Sequence, residues 1–209
     1  MALKTFVKIS NVNNLSDARY CSGMYVDLMG FSLENDNEYF VSPTAFKEIT
    51  DWLSGLEYVA EFSNSHPAQI LETLTQYEGF SFIQIEEKLH LPMLKNSSYG
   101  LIFKSTISKE ADLDDLLDYA ITLKENKVML NLEADKALEI TPEIHEKLKN
   151  IAEKCDLLLG FGFDEKNIER LLDQTRIKGI SMKAGHEIRP GIKDFDELAD
   201  ILETLEIED

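Results

Sequence analysis

The feature that most constrains this chain is an alternation. Eight short apolar runs, each followed by a stretch of helical or helix-like character, are packed into 209 residues. Runs rich in β-branched and aromatic residues read as buried strands, and apolar residues at three- and four-residue spacing read as amphipathic helices. The strands read as residues 6–9, 26–31, 58–62, 80–85, 100–103, 128–132, 156–159 and a last one through Ile180 and Met182. Ser42-Pro43, His66-Pro67 and Thr141-Pro142 each place proline at a first helical position. Asp164 is a further cap, and Asp194 with Glu197 has capping-box spacing ahead of Leu198, Ile201, Leu202 and Leu205. Gly23 and Gly55 are expected to end the first two helices, the second carrying Phe46, Ile49, Trp52 and Leu53. Residues 86–98 are irregular and interrupted by Pro92.

Strand–helix alternation is the mark of a parallel α/β fold. Eight such units in about 200 residues sit at the lower size limit of a (β/α)8 TIM barrel. An open doubly wound sheet is the alternative, but no G-x-G-x-x-G follows the first strand. The expected architecture is therefore one small barrel over residues 1–209, with an irregular connection after strand four and an acidic tail, 203–209, that frays. Function in such barrels sits at the C-terminal strand ends.

Charge narrows the partners. With 21 basic and 39 acidic residues the formal charge is −18, which argues against nucleic acid because phosphate neutralisation needs a basic face. No apolar run approaches the roughly 20 residues of a membrane span, and the N-terminus shows no signal-peptide pattern, so a cytoplasmic location is expected. Cys21 and Cys155 are too few for a metal cluster or disulfide framework and read as reduced core filler. His66, His90, His145 and His186 show no metal-ligand spacing. No metal or cofactor is expected.

The last strand and its loop, Gly179 to Asp194, hold Gly185, Glu187, Pro190-Gly191 and Lys193-Asp194. They resemble the D-V-S-S-G-V-E…P-G-x-K-D pattern of phosphoribosylanthranilate isomerases, with Ser181, Lys183 and Ala184 at the aspartate and the two serines. Lys8-Ile9-Ser10-Asn11 resembles that family's K-I-C-G. Asp17-Ala18 with Gly23, Asp27 and Gly30-Phe31 resembles its D-A-x-x-A-x-x-x-G-A-D-x-x-G-F. Val41-Ser42-Pro43 resembles R-Y-V-S-P, with Tyr39 at the arginine. Gln84-Ile85 resembles Q-L-H-G, with Glu86 and Glu87 at its last two positions. Gly160-Phe161-Gly162-Phe163 with Asn167-Ile168 resembles A-G-G-L…N-V.

The resemblance implies an Amadori rearrangement of an aminoaldose, run by a cysteine base ending the first strand and an aspartate acid ending the sixth. Here those positions are Ser10 and Asn131, neither of which titrates near neutral pH. A two-residue shift would instead place Glu133 at the acid position. The family's phosphate-binding G-G-T-G is absent after strand six, where Glu133-Ala134-Asp135-Lys136 runs.

What remains can hold an anion. Gly160, Gly162 and Gly185 stand where barrels often hold phosphate, with Lys8 and Lys183 as cations. By strand alternation Lys8 shares a face with Ser10, Gln84 with Glu86, and Ser181 with Lys183. Tyr39, Gln84, Glu86, Lys104 and Ser181 are further pocket candidates, and His186 is a candidate acid or base. These residues form either a remodelled pocket or a polar lattice capping the barrel mouth. Three functions follow: a non-catalytic binding or regulatory barrel with a small phosphorylated or anionic ligand; an active isomerase with a rebuilt acid–base pair; or an interaction protein using apolar surface around Phe161 and Phe163.

Overall fold

The structure, a computed structural model, describes residues 2–185, 187–189, 192–193 and 195–207. Eight parallel strands close into a barrel in chain order, with β8 pairing back onto β1. They are β1 Phe6–Ser10, β2 Leu28–Ser32, β3 Glu57–Phe62, β4 Phe80–Ile85, β5 Gly100–Ile107, β6 Val128–Ala134, β7 Leu157–Leu159 and β8 Gly179–Lys183. The surrounding helices are α1 Leu15–Gly23, α2 Pro43–Thr50, α3 Pro67–Leu74, α4 Leu91–Leu94, α5 Asp112–Glu125, α6 Pro142–Ala152, α7 Ile168–Thr175 and α8 Asp196–Thr204. The small (β/α)8 barrel expected from the alternation is the observed fold. The irregular stretch after β4 contains only a 3₁₀ turn, Lys88–His90, and the one-turn α4. No described helix is long and apolar enough to cross a membrane.

Local signals hold where a side chain can satisfy the backbone. Ser42 and Thr141 oxygens accept from Ala45 and Ile144 N–H, each followed by proline at the helix start. They fail where only glycine was read. Gly23 is the last residue inside α1, and the left-handed position is Tyr25 at φ 55°. Helix α2 stops at Thr50, whose hydroxyl donates to Phe46 O, so Trp52 stands out 73% exposed. Asp164 caps a turn ahead of α7 rather than the helix itself, accepting from Lys166 and Asn167 N–H. Asp194 lies outside the described residues; α8 begins at Asp196.

Strands β5 and β6 run further than their apolar runs because they pair through Ile107 and Ala134, with polar Lys104, Ser105 and Thr106 inside the ladder. A short antiparallel pair, β9 Glu187–Arg189 and β10 Ile192–Lys193, follows β8 where only a loop was expected. Fraying of the tail is not observed through residue 207. Leu205 is fully buried, Lys4 N donates to Leu205 O, Ile207 N donates to Ala2 O, and Leu3 bridges Glu206.

The main core lies between strands and helices. Inside the barrel, Leu28, Val59, Ile102 and Met129 pack with Phe6 and Phe82 into a separate apolar layer. Two residues further along the strands, the same inward face turns polar. That change of chemistry inside the barrel makes the site.

Candidate functional site at the barrel mouth

Above the apolar layer, one chain of hydrogen bonds crosses the barrel interior. Lys8 Nζ on β1 meets Glu61 Oε1 on β3 at 2.5 Å and donates to Ser10 Oγ. Ser10 Oγ donates to the same Glu61 oxygen at 2.8 Å, and Asn11 N–H donates to Oε2 at 3.3 Å. Gln84 Nε2 donates to Glu61 at 3.3 Å, Asn131 Nδ2 donates to Gln84 Oε1 at 3.0 Å, and Ser181 Oγ donates to Asn131 Oδ1 at 2.6 Å. All of these side chains are buried, Lys8 and Asn131 completely. Burial alone would raise the Glu61 carboxyl, but the Lys8 charge and hydrogen bonds from Lys8, Ser10 and Asn11 outweigh it and hold it below its usual value.

Glu61 reaches across β2 only because residue 30 is glycine. A Cβ on Gly30 would lie 2.3 Å from Glu61 Oε1. Both residues escaped the sequence reading as site residues. The signal was present, since Glu61 is a charge two residues after inward-facing Val59, in a strand whose other charge is its exposed first residue, Glu57.

One layer higher, Lys104 Nζ lies 3.1 Å from Glu86 and 3.7 Å from Glu133, and Lys183 Nζ lies 3.3 Å from Glu133. Burial would lower Lys104, yet Glu133 and Glu86 outweigh it and hold the ammonium above its usual value. Over this lattice is a cavity of about 420 Å³, its walls including Tyr39, Asp36, Glu38, Glu86, Lys104 and Lys183. A second cavity, about 510 Å³, adjoins it and shares Asn11, Tyr39, Glu133 and Lys183. Its far side contains Gly160, Gly162, Ser181 and Gly185.

The structure thus brings Ser10, Gln84, Asn131 and Ser181 into the lower layer, and Glu86, Lys104, Glu133 and Lys183 into the upper one. Asn131 and Glu133 share the inward face of β6, the first completely buried, the second lining the open mouth beside Ser10, Glu61 and Gln84. Lys8, read as a ligand-binding cation, is instead sealed below the cavities by its pairing with Glu61. Ile140 covers Gly162 (φ 77°), where a Cβ would lie 2.6 Å from its Cγ1; apolar packing from the β6–α6 connection stands beside the expected anion loop. Phe161, offered as exposed apolar surface, is 8% exposed and Phe163 packs against the core. His186 lies outside the described residues.

No protein-family model matches the chain. Among curated proteins, the N-(5'-phosphoribosyl)anthranilate isomerase of Sulfurihydrogenibium sp. (strain YO3AOP1) is 27% identical over 198 residues, covering 92% of this chain and 94% of its own. Among solved structures, phosphoribosyl anthranilate isomerase from Thermotoga maritima superposes with a TM-score of 0.77 at 22% identity, over 96% of this chain and 98% of that one. A second isomerase structure, in complex with reduced 1-(o-carboxyphenylamino)-1-deoxyribulose 5-phosphate, gives 0.74 at 21% identity, with the same coverage. Along nine-tenths of its length, and on the same closed barrel, the chain is similar to phosphoribosylanthranilate isomerases at a divergent 27% identity.

Proposed function

We propose that this protein is a ligand-binding barrel of the isomerase family without the standard Amadori activity. One observation carries the reading: the positions that match the family's base and acid are both tied into one buried hydrogen-bond chain. Ser10 is held between Lys8 and Glu61, and the Asn131 amide between Gln84 and Ser181. Neither side chain titrates near neutral pH. Glu61 beside Ser10 is an ionised carboxylate held below its ordinary value, a poor base for neutral pH. Each missing general acid or base is worth about 10²–10⁴-fold in rate. The ligand of this reading is a small phosphorylated or anionic molecule in the adjoining cavities, with Gly160, Gly162 and Gly185 at one end. Lys183, whose side chain is 61% exposed, supplies the accessible cation.

A second reading, an active isomerase or related sugar-phosphate isomerase with a rebuilt pair, is favoured by Glu133. This carboxylate lines both cavities between Lys104 and Lys183.

Turnover of phosphoribosylanthranilate, followed by loss of its fluorescence, separates the two. We expect none from the wild-type chain, nor from Ser10→Cys with Asn131→Asp, because the surrounding network still holds both positions. Turnover abolished by Glu133→Gln would establish the second reading. Inorganic phosphate titrated into the protein should shift the Gly160 and Gly185 amide resonances saturably, and Lys183→Ala should weaken that response. A lack of response would remove the anion site.

A further inference from the structure

Residues 33–42 join β2 to α2 and bring Asp36, Asn37, Glu38 and Tyr39 to the mouth cavity. The segment is pinched at its base, where Ser32 bridges Phe40 and Val41 N–H donates to Ser32 O at 2.9 Å. Inside it, Asn37 N–H donates to Glu34 O and Phe40 N–H to Asn37 O, each at 3.0 Å. A loop of this length whose ends meet and whose interior is bonded to itself is a compact Ω-type loop.

One side chain ties it to the neighbouring loop. Glu34, 8% exposed, crosses to the connection between β3 and α3. Its carboxylate accepts from Ser63 N–H (2.9 Å), Asn64 N–H (2.9 Å), Ser65 N–H (2.8 Å) and Ser65 Oγ (2.6 Å). Three successive amides converging on one carboxylate form an anion nest, set just ahead of α3, whose dipole also favours negative charge. Burial would raise the Glu34 carboxyl, but the hydrogen bonds from Ser65, Ser63 and Asn64 outweigh it and hold it below its usual value. The same connection continues into the mouth lattice, where Ser63 Oγ donates to Glu86 at 2.8 Å.

We propose that Glu34 is a latch: a positioning residue whose carboxylate, seated in the Ser63–Ser65 amide nest, holds residues 33–42 closed across the barrel mouth. Releasing it frees the loop that carries Asp36, Glu38 and Tyr39 and opens the cavity beneath. The consequence for ligand access rests on the proposed binding function; the latch itself does not.

Amide hydrogen exchange on the intact 209-residue chain tests it without any ligand. In Glu34→Ala, amides of residues 35–40 and of Asn64 and Ser65 should exchange at least tenfold faster, while β5 and β6 stay protected. Sodium formate, small enough to enter the emptied nest, should restore much of that protection, and sodium chloride at equal ionic strength should not. Glu34→Gln keeps the size of the side chain but turns an amide N–H₂ against the nest donors. It should show the same localised acceleration, and it decides the matter if Glu34→Ala does not fold. Unchanged exchange at residues 35–40 in a folded variant, or chloride acting as well as formate, would overturn the latch. Failure of phosphate to bind would sink the ligand reading and leave these exchange rates untouched.

Discussion

A lysine with no exposed surface is rare unless paired, and Lys8 survives inside this barrel because Glu61 is there to meet it. Removing one member of such a buried pair typically costs about 3–5 kcal/mol, whereas replacing both by packed apolar groups is often neutral or stabilising. Lys8→Met should therefore lower unfolding stability in urea by about 3–5 kcal/mol, and Lys8→Met with Glu61→Leu should recover most of it. A double variant as unstable as the single one would show that the pair is not the main contribution. Because the folded-state value of Glu61 is depressed, its stabilisation is complete above the ordinary glutamate value of 4.5 and is lost as pH falls through the lower folded value. Glu61→Gln should flatten that acid limb. Cys155 contributes no comparable chemistry: burial, then the neighbouring Asp156 charge, push its thiol up to about 11, and it packs as core. At this scale the sequence was half legible. Alternation put Ser10 on one face with Lys8, and Glu61 stood out as a charge two residues after Val59, but that Glu61 meets Lys8 and Ser10 was decided only by β3 standing across β2 from β1.

Elements were legible wherever a short-range interaction fixes them. The Ser42-Pro43 start of α2 is complete in the local chain: the Ser42 hydroxyl accepts from Ala45 N–H at 3.3 Å, and proline supplies the first helical φ. Ser42→Ala should cost about 1 kcal/mol in thermal or urea unfolding and leave the fold intact; no change would show the cap to be idle. Ends set by partners were not legible. Strand β5 continues through Lys104, Ser105 and Thr106 because β6 runs beside them to Ala134, and nothing in three polar residues announces a strand. Helix α2 stops at Thr50, where the apolar spacing alone would have carried it on to Leu53; Leu53 N–H instead closes a turn onto Thr50 O.

Across the whole molecule, the two chain ends tie one another. Leu205 is fully buried, and residues 2–4 hold residues 205–207 through two backbone hydrogen bonds and a bridge. Ending the chain at Thr204 removes that buried leucine together with the strap, and should cost about 2–5 kcal/mol, the range for losing a large core side chain. A truncated chain with the wild-type melting temperature would show the tail to be dispensable. By itself, the sequence determined the eight-unit alternation, which favours a parallel barrel over an open sheet, and the shared faces of Lys8 with Ser10, Gln84 with Glu86 and Ser181 with Lys183. Those properties follow from hydrophobic period and strand alternation, which are local. Only the tertiary structure decided that Lys8, Ser10, Glu61, Gln84, Asn131 and Ser181 form one hydrogen-bond chain beneath the mouth. It likewise decided that Glu34 fastens one loop to another. The physical reason is distance along the chain: Glu61 lies 53 residues from Lys8, and Asn131 lies 47 from Gln84 and 50 from Ser181. Which of these meet depends on closure of the barrel, not on any pattern their immediate neighbours carry.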